Sequence, residues 1–187
     1  MAMTEKRIAV LGATPISTIV SAQLARRGIR VDLFDTYNAH TSAIMDQGYI
    51  VNGSLDIIAP ASFLTANELT GLYDIVFLFC SPFSVYHLFD QLPAHLHEDS
   101  IVCVLQPFRC DRIAPAQIGK GHLVTGVVNI DADWYSSGVV NCLSPAQHMV
   151  YGRLFELSAD KKAAAPLNTM AELLGTVGTC STSFASA

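Results

Sequence analysis

Apolar residues fall in short unbroken runs through most of the chain and in looser alternation near its end. The run Ile8-Ala-Val-Leu11 predicts a strand buried on both faces, and Gly12 a tight turn after it. Ile16, Val20 and Leu24 then recur every four residues and predict a helix from Pro15 to Arg27. Thr14 suits its cap, Pro15 its first position and Gly28 its end. Val31-Asp-Leu-Phe34 reads as a second strand with Asp35 at its tip. Ala39 to Gln47 predicts a short helix stopped by Gly48. Tyr49-Ile-Val51 and Leu55-Asp-Ile-Ile58 flank Asn52-Gly53-Ser54, a hairpin signal. Asn67 to Leu72 reads as a brief helical turn. Asp74 to Cys80 is the most apolar segment and predicts a central strand. Ser84 can cap a helix running to Leu92. Ile101 to Leu105 and Val124 to Asn129 predict two more buried strands. A polar loop follows, through Asp131, Asp133, Trp134 and Tyr135. Val139 to Cys142 and Met149 to Tyr151 read as antiparallel strands. Lys161 to Leu174 reads as helical, with Pro166 kinking it or marking its first turn. Thr179 to Phe184 can close the sheet.

Buried strands alternating with amphipathic helices predict an α/β fold: a Rossmann-like, doubly wound, mostly parallel sheet. Its expected order is 3-2-1-4-5-6, with a few antiparallel strands at the C-terminal side. Composition agrees, since 51% of residues are hydrophobic and 14% are charged, which suits a sheet covered on both faces. At 187 residues the expectation is one domain, 1–187. The net charge of −5 argues against a nucleic-acid or anionic-membrane partner. No apolar run approaches the roughly 20 residues that span a bilayer, and no secretory signal is evident. Five cysteines, at 80, 103, 110, 142 and 180, lack any C-x-x-C spacing. They read as reduced thiols of a cytoplasmic protein.

Strand, glycine turn, helix, strand and acid form the opening of a dinucleotide-binding unit. The glycine pattern G-x-G-x-x-G is broken, reading Gly12-Ala13-Thr14-Pro15-Ile16-Ser17. Thr14 places a side chain where a diphosphate would lie, and Pro15 removes one N–H donor from the helix start. Ser17 is small enough for the close packing that the third glycine serves. Asp35 reads either as a solvated strand end or as an acceptor for an adenosine ribose; it disfavours a 2′-phosphate. Cys80 and Ser81 lie at the sheet's carboxyl edge, where such folds bind ligands. Cys80 with His87 as base would be a nucleophile, although a buried strand cysteine and a surface histidine is the plainer reading. His95 and His97 could ligate a metal, but a solvated turn is the simpler reading, and no metal site is expected. Asp131 and Asp133 read as an acidic loop or as cation ligands. Arg109, Cys110 and Arg112 could face an anion.

This order of parts resembles the N-terminal domain of the ketopantoate reductase family. The resemblance rests on Gly12 to Gly28, on Leu72-Tyr-Asp-Ile-Val-Phe-Leu-Phe79, on Val104-Leu-Gln106, and on Leu123 to Val128 with Ser137 to Val140. It implies an NADPH-dependent reductase of 2-oxo acids with a further, helical domain, for which this sequence shows no counterpart. It also implies a lysine where Ser81 stands and an asparagine after Leu105-Gln106, where Pro107 stands. An arginine for the 2′-phosphate is replaced by Asp35-Thr36-Tyr37.

The resulting cofactor-binding set is Gly12, Thr14, Pro15, Ile16, Asp35, Cys80, Ser81 and Gln106, with no catalytic residue assigned. The expectation is weak binding of NAD or NADP, NAD preferred, or of another small molecule, without reductase activity. The alternative is an NAD(P)-dependent oxidoreductase whose missing groups come from a partner. A homodimer or a partner protein is expected to cover the face that the helical domain would cover.

Overall fold

The computed structural model describes residues 5–35, 38–65, 69–79, 92–105, 118–119 and 121–185. The chain begins with β1 (Ile8–Leu11), α1 (Pro15–Arg26), β2 (Val31–Asp35) and α2 (Ala39–Gln47). Four strands follow: β3 (Tyr49–Gly53), β4 (Ile57–Ala59), β5 (Ser62–Thr65) and β6 (Tyr73–Leu78). Next come β7 (Leu96–Leu105), β8 (Leu123–Val128), β9 (Ala132–Ser136) and β10 (Val139–Cys142). The chain ends with α3 (Ala146–Tyr151), β11 (Arg153–Ala159), α4 (Ala164–Gly175) and β12 (Thr179–Phe184).

The main sheet has eight strands in the order β12-β11-β8-β7-β6-β1-β2-β5. From β5 to β8 all neighbours are parallel. Those six strands stand in the order 3-2-1-4-5-6, but the third place belongs to β5, a strand not read from the sequence, while the predicted hairpin β3–β4 lies in a second sheet. Strand β11 runs antiparallel to β8, and β12 runs parallel to β11. The strands are continuous apolar runs because both faces are covered. Along β1, Ile8 and Val10 enter one core while Ala9 and Leu11 enter the other. Burying one such side chain is worth about 1.5–3 kcal/mol, so two faces of them hold the sheet together.

Helix α1 lies between the main sheet and a second sheet of four strands, β4-β3-β10-β9. It is therefore buried on two sides, and its small residues Ser17, Ser21 and Ala22 are as inaccessible as Val20 and Leu24. The β3–β4 hairpin forms where Asn52-Gly53 predicts it. Gly53 sits at φ +90°, and a Cβ there would lie 2.3 Å from the Cys142 carbonyl oxygen, so glycine is required.

Several expectations are corrected. Met149 to Tyr151 is not a strand but the end of α3, which Met149 N–H to Pro145 C=O (3.0 Å) and Gly152 N–H to His148 C=O (2.8 Å) close. Only Met149 of the three is buried, one side chain per turn, which three residues of sequence cannot tell from alternation. The polar stretch 132–136 is a strand, not a loop. It forms the outer edge of the small sheet, where polar side chains are tolerated. Val139 to Cys142 is a strand, but in the small sheet, antiparallel to β9 and parallel to β3. Of the helical turn expected at 67–72, residues 69–72 are described and form no helix, only a bend at Gly71; residues 67–68 and, but for Leu92, the helix expected from 84 to 92 lie outside the described residues.

Candidate functional site

The carboxyl edge of the parallel strands is formed by the ends of β2, β1, β6 and β7. Parallel register sets Leu11 beside Phe34 and Leu78, and Leu78 beside Val104. The residue after β1 is Gly12, at φ +102°, a conformation that glycine reaches without steric cost. Its N–H donates to the Phe34 carbonyl at 2.8 Å, and Phe79 N–H donates to the Leu11 carbonyl at 2.9 Å. These two bonds continue the ladders and fix where the loop leaves the sheet.

The loop then turns its donors inward. Ala13 N–H donates to the Asp35 carboxylate at 2.5 Å, across 22 positions of chain. Thr14 N–H donates to Ser17 Oγ at 2.8 Å, and Ser17 N–H returns the bond to Thr14 Oγ1 at 3.2 Å. This reciprocal pair is a capping box with serine in the acidic position. Ser17 Oγ also donates to the Gly12 carbonyl at 2.6 Å, which ties the helix start to the glycine turn. Thr18 N–H is taken by the Thr14 carbonyl at 2.9 Å. Pro15 has no N–H to offer. Ile16 is partly buried and packs against the core, so its side chain is structural.

In a dinucleotide site of this architecture the pyrophosphate sits at the helix N-terminus, on loop N–H groups. Here Gly12, Ala13, Thr14 and Ser17 spend theirs within the protein. The glycine turn fits a dinucleotide; of the donors at this helix start, four N–H groups are taken within the protein and Pro15 has none, which leaves the Ile16 N–H.

Of the sequence-predicted residues, Gly12, Thr14, Pro15, Ile16 and Asp35 gather around this one turn. Cys80, Ser81 and Gln106 lie outside the described residues, as do His87, Pro107, Arg109, Cys110 and Arg112. The two candidate histidines are held apart by different partners. His95 Nδ1 lies 2.9 Å from the Gly71 carbonyl, and His97 Nε2 lies 3.4 Å from an Asp74 carboxylate oxygen. Among the described residues no group of three or more His, Cys, Asp or Glu side chains could hold a metal. Asp131 and Asp133 flank the start of β9, and Asp133 accepts from the Trp134 N–H at 2.7 Å.

Sequence reasoning missed a polar cluster at the opposite, amino edge. The Asp32 carboxylate is buried and accepts from Ser62 Oγ at 2.8 Å, with Arg30 Nε 3.4 Å away. The Tyr73 hydroxyl donates to it at 3.5 Å and accepts from Arg7 at 3.2 Å, while the Arg7 guanidinium lies 4.3 Å above the Tyr73 ring. Burial raises the Tyr73 pKa, and the neighbouring Arg7 opposes that rise. An acid inside an otherwise apolar strand, Val31-Asp-Leu-Phe34, is the signal that could have revealed it. Its groups satisfy one another and support β2 from below.

The sequence profile of the ketopantoate reductase PanE/ApbA family matches residues 8–154. No curated protein matches the chain. Among solved structures, 2-dehydropantoate 2-reductase from Geobacter metallireducens GS-15 superposes with a TM-score of 0.76 at 20% identity, covering 95% of this chain and 57% of that one. The same enzyme from Porphyromonas gingivalis W83 gives 0.74 at 18% identity, covering 95% and 64%. D-mandelate dehydrogenase, solved with NADH and anilino(oxo)acetate, gives 0.77 at 19% identity, covering 96% and 57%. At such identities the likeness is one of fold. The chain spans less than two thirds of the length of each of these proteins.

Proposed function

The chain belongs to the ketopantoate reductase family, and from that premise we propose that it holds a nucleotide or another small molecule at the carboxyl edge of its sheet without carrying out hydride transfer. The observation that carries this reading is the inward-turned loop: Ala13 N–H on Asp35 and Thr14 N–H on Ser17. A nicotinamide cofactor sets its diphosphate on N–H groups at this helix start, where these two are already engaged, and hydride transfer depends on holding the cofactor to within about 1 Å, since a misplacement of that size can cost roughly 100-fold in rate. The sequence adds Ser81 and Pro107, which can supply neither a cation nor a side-chain amide to a developing alkoxide. Asp35 in place of an arginine favours NAD over NADP in whatever dinucleotide binding remains.

A second reading has its own support. The family match and the NADH-bound neighbour favour an NAD(P)-dependent oxidoreductase whose missing groups come from a partner or dimer mate. Oxidation of NADH and NADPH by the purified chain, followed at 340 nm with a panel of 2-oxo acids, separates the two. The proposal expects no turnover above the protein-free rate. Steady turnover that Gly12→Trp abolishes would put the oxidoreductase first.

A further inference from the structure

A second concavity lies at the amino edge of the main sheet, away from the glycine turn. A cavity of about 410 Å³ opens between the end of α1, the start of β2 and the turn that leads into β5. That volume falls within the roughly 300–1,000 Å³ of small-molecule pockets. Its walls are mostly apolar: Ala25, Ile29, Val31, Tyr49, Pro60 and Ala61. Small residues leave the space. Ala25 and Ala61 end at a methyl group, and a Cβ added at Gly28, on the same wall, would meet nothing within 4 Å. Tyr49 is completely buried, and its hydroxyl has no hydrogen-bond partner among the described residues; neither has that of Ser21 beside it. Buried hydroxyls without partners are uncommon. Arg30 also lines the cavity and is exposed. Its Nε lies 3.4 Å from Asp32, and its Nη2 donates to Ser62 Oγ at 3.3 Å. At most two of its five N–H donors are so engaged. Residues 6–31 carry Lys6, Arg7, Arg26, Arg27 and Arg30 and no acid, in a chain of net charge −5. All five precede β1 or β2 or end α1, so they gather at this edge, where Asp32 and Asp74 offset only two of them. The Leu24 and Ala25 carbonyls at the end of α1 are taken by the N–H groups of Arg27, Gly28 and Ile29.

We propose that this cavity binds a small carboxylate with a compact apolar body, its carboxylate on the Arg30 guanidinium and its body between Ile29, Val31, Tyr49 and Pro60. The planar fork of an arginine matches a carboxylate, and a bond between the two charged groups is stronger than a neutral one. The apolar walls favour a body that leaves water on entering. A phosphorylated ligand carries more charge than the single cation in the wall can meet. The site is separate from the carboxyl edge and does not depend on what that edge holds.

The test titrates phenylacetate and its uncharged amide, phenylacetamide, into the isotope-labelled chain and reads backbone amide shifts residue by residue. In the wild type, phenylacetate should shift the amides of Gly28, Ile29, Ala61 and Ser62 and saturate below about 10 mM. Phenylacetamide should bind at the same residues about fivefold more weakly, for want of a charge-assisted bond. Arg30→Gln should weaken phenylacetate about fivefold and leave phenylacetamide within about twofold. Ala61→Leu should weaken both about tenfold, because its side chain takes the volume of the ligand. The comparison of the two probes on the wild type needs no variant, so it decides the matter even where a substitution disturbs folding. Saturable shifts confined to Gly12, Ala13 and Asp35 would put the carboxylate at the opposite edge and overturn the inference. Equal affinity for the two probes, or no saturable shift at the amino edge below about 10 mM, overturns it as well.

Discussion

Ser17 shows how one side chain can convert a ligand loop into a self-contained turn. It stands where the glycine pattern ends and is completely buried. Its hydroxyl donates to the Gly12 carbonyl and accepts from Thr14 N–H, and its own N–H is capped by Thr14. Removing the hydroxyl strands a buried carbonyl and an amide at the same time. Ser17→Ala should therefore lower stability by about 1–2 kcal/mol, the range for losing a buried hydrogen-bonding partner and part of a cap. Urea unfolding followed by circular dichroism checks this. A change below about 0.5 kcal/mol, the size of a neutral surface substitution, would mean that the hydroxyl does not hold the loop. Thr14 was readable as a cap because that chemistry is local, whereas Ser17 read only as a small packing residue and its share in the capping box came from the structure. The Ala13–Asp35 contact was not readable, because it joins residues 22 positions apart and nothing in the alternation of apolar and polar positions marks a backbone amide as taken.

At the level of elements, sequence pattern served best where one physical cause dominates. Strands buried on both faces, β1, β2, β6, β7 and β8, were legible as unbroken apolar runs, and their order followed from the alternation with helices. Helix α1 was legible from its cap and terminal glycine, and α2 from its terminal glycine, its Asn38 cap emerging only in the structure. Asn38 accepts from the His40 and Thr41 N–H groups at 2.9 and 3.1 Å, and Gly48 ends α2 at φ +79°. Legibility failed where pairing partners lie far away in sequence. Strand β10 pairs with β3, nearly ninety positions earlier, as Val139 with Ile50 and Cys142 with Gly53 show. That pairing, with β9 at its other side, makes a second sheet over α1. No local signal distinguishes it from an extension of the first. The ligand edge was half legible. The turn at Gly12 and the acid at Asp35 were placed together by the motif, while Cys80, Ser81 and Gln106 lie outside the described residues.

For the whole molecule, the two cores set how stability responds to pH. Burial raises the pKa values of the Cys103 thiol and the Tyr49 and Tyr73 hydroxyls above their ordinary values of 9.0 and 10.0. Each group therefore holds its proton more tightly folded than unfolded. Its contribution is complete below the unfolded pKa and is lost as pH rises toward the folded one. Unfolding free energy should be level for these groups from neutral pH to about 9, then fall steadily above 10, as equilibrium urea titrations at stepped pH would show. Stability that is flat to pH 11 would contradict the burial of these three groups. Calorimetry of the wild-type chain with NADH and NADPH shows whether the protein's own groups close the family's dinucleotide turn. Dissociation constants weaker than about 100 μM are expected for both, with NADH the tighter; a value for NADPH of about 10 μM or below, worth roughly 7 kcal/mol of binding, would mean that the turn is open to a dinucleotide.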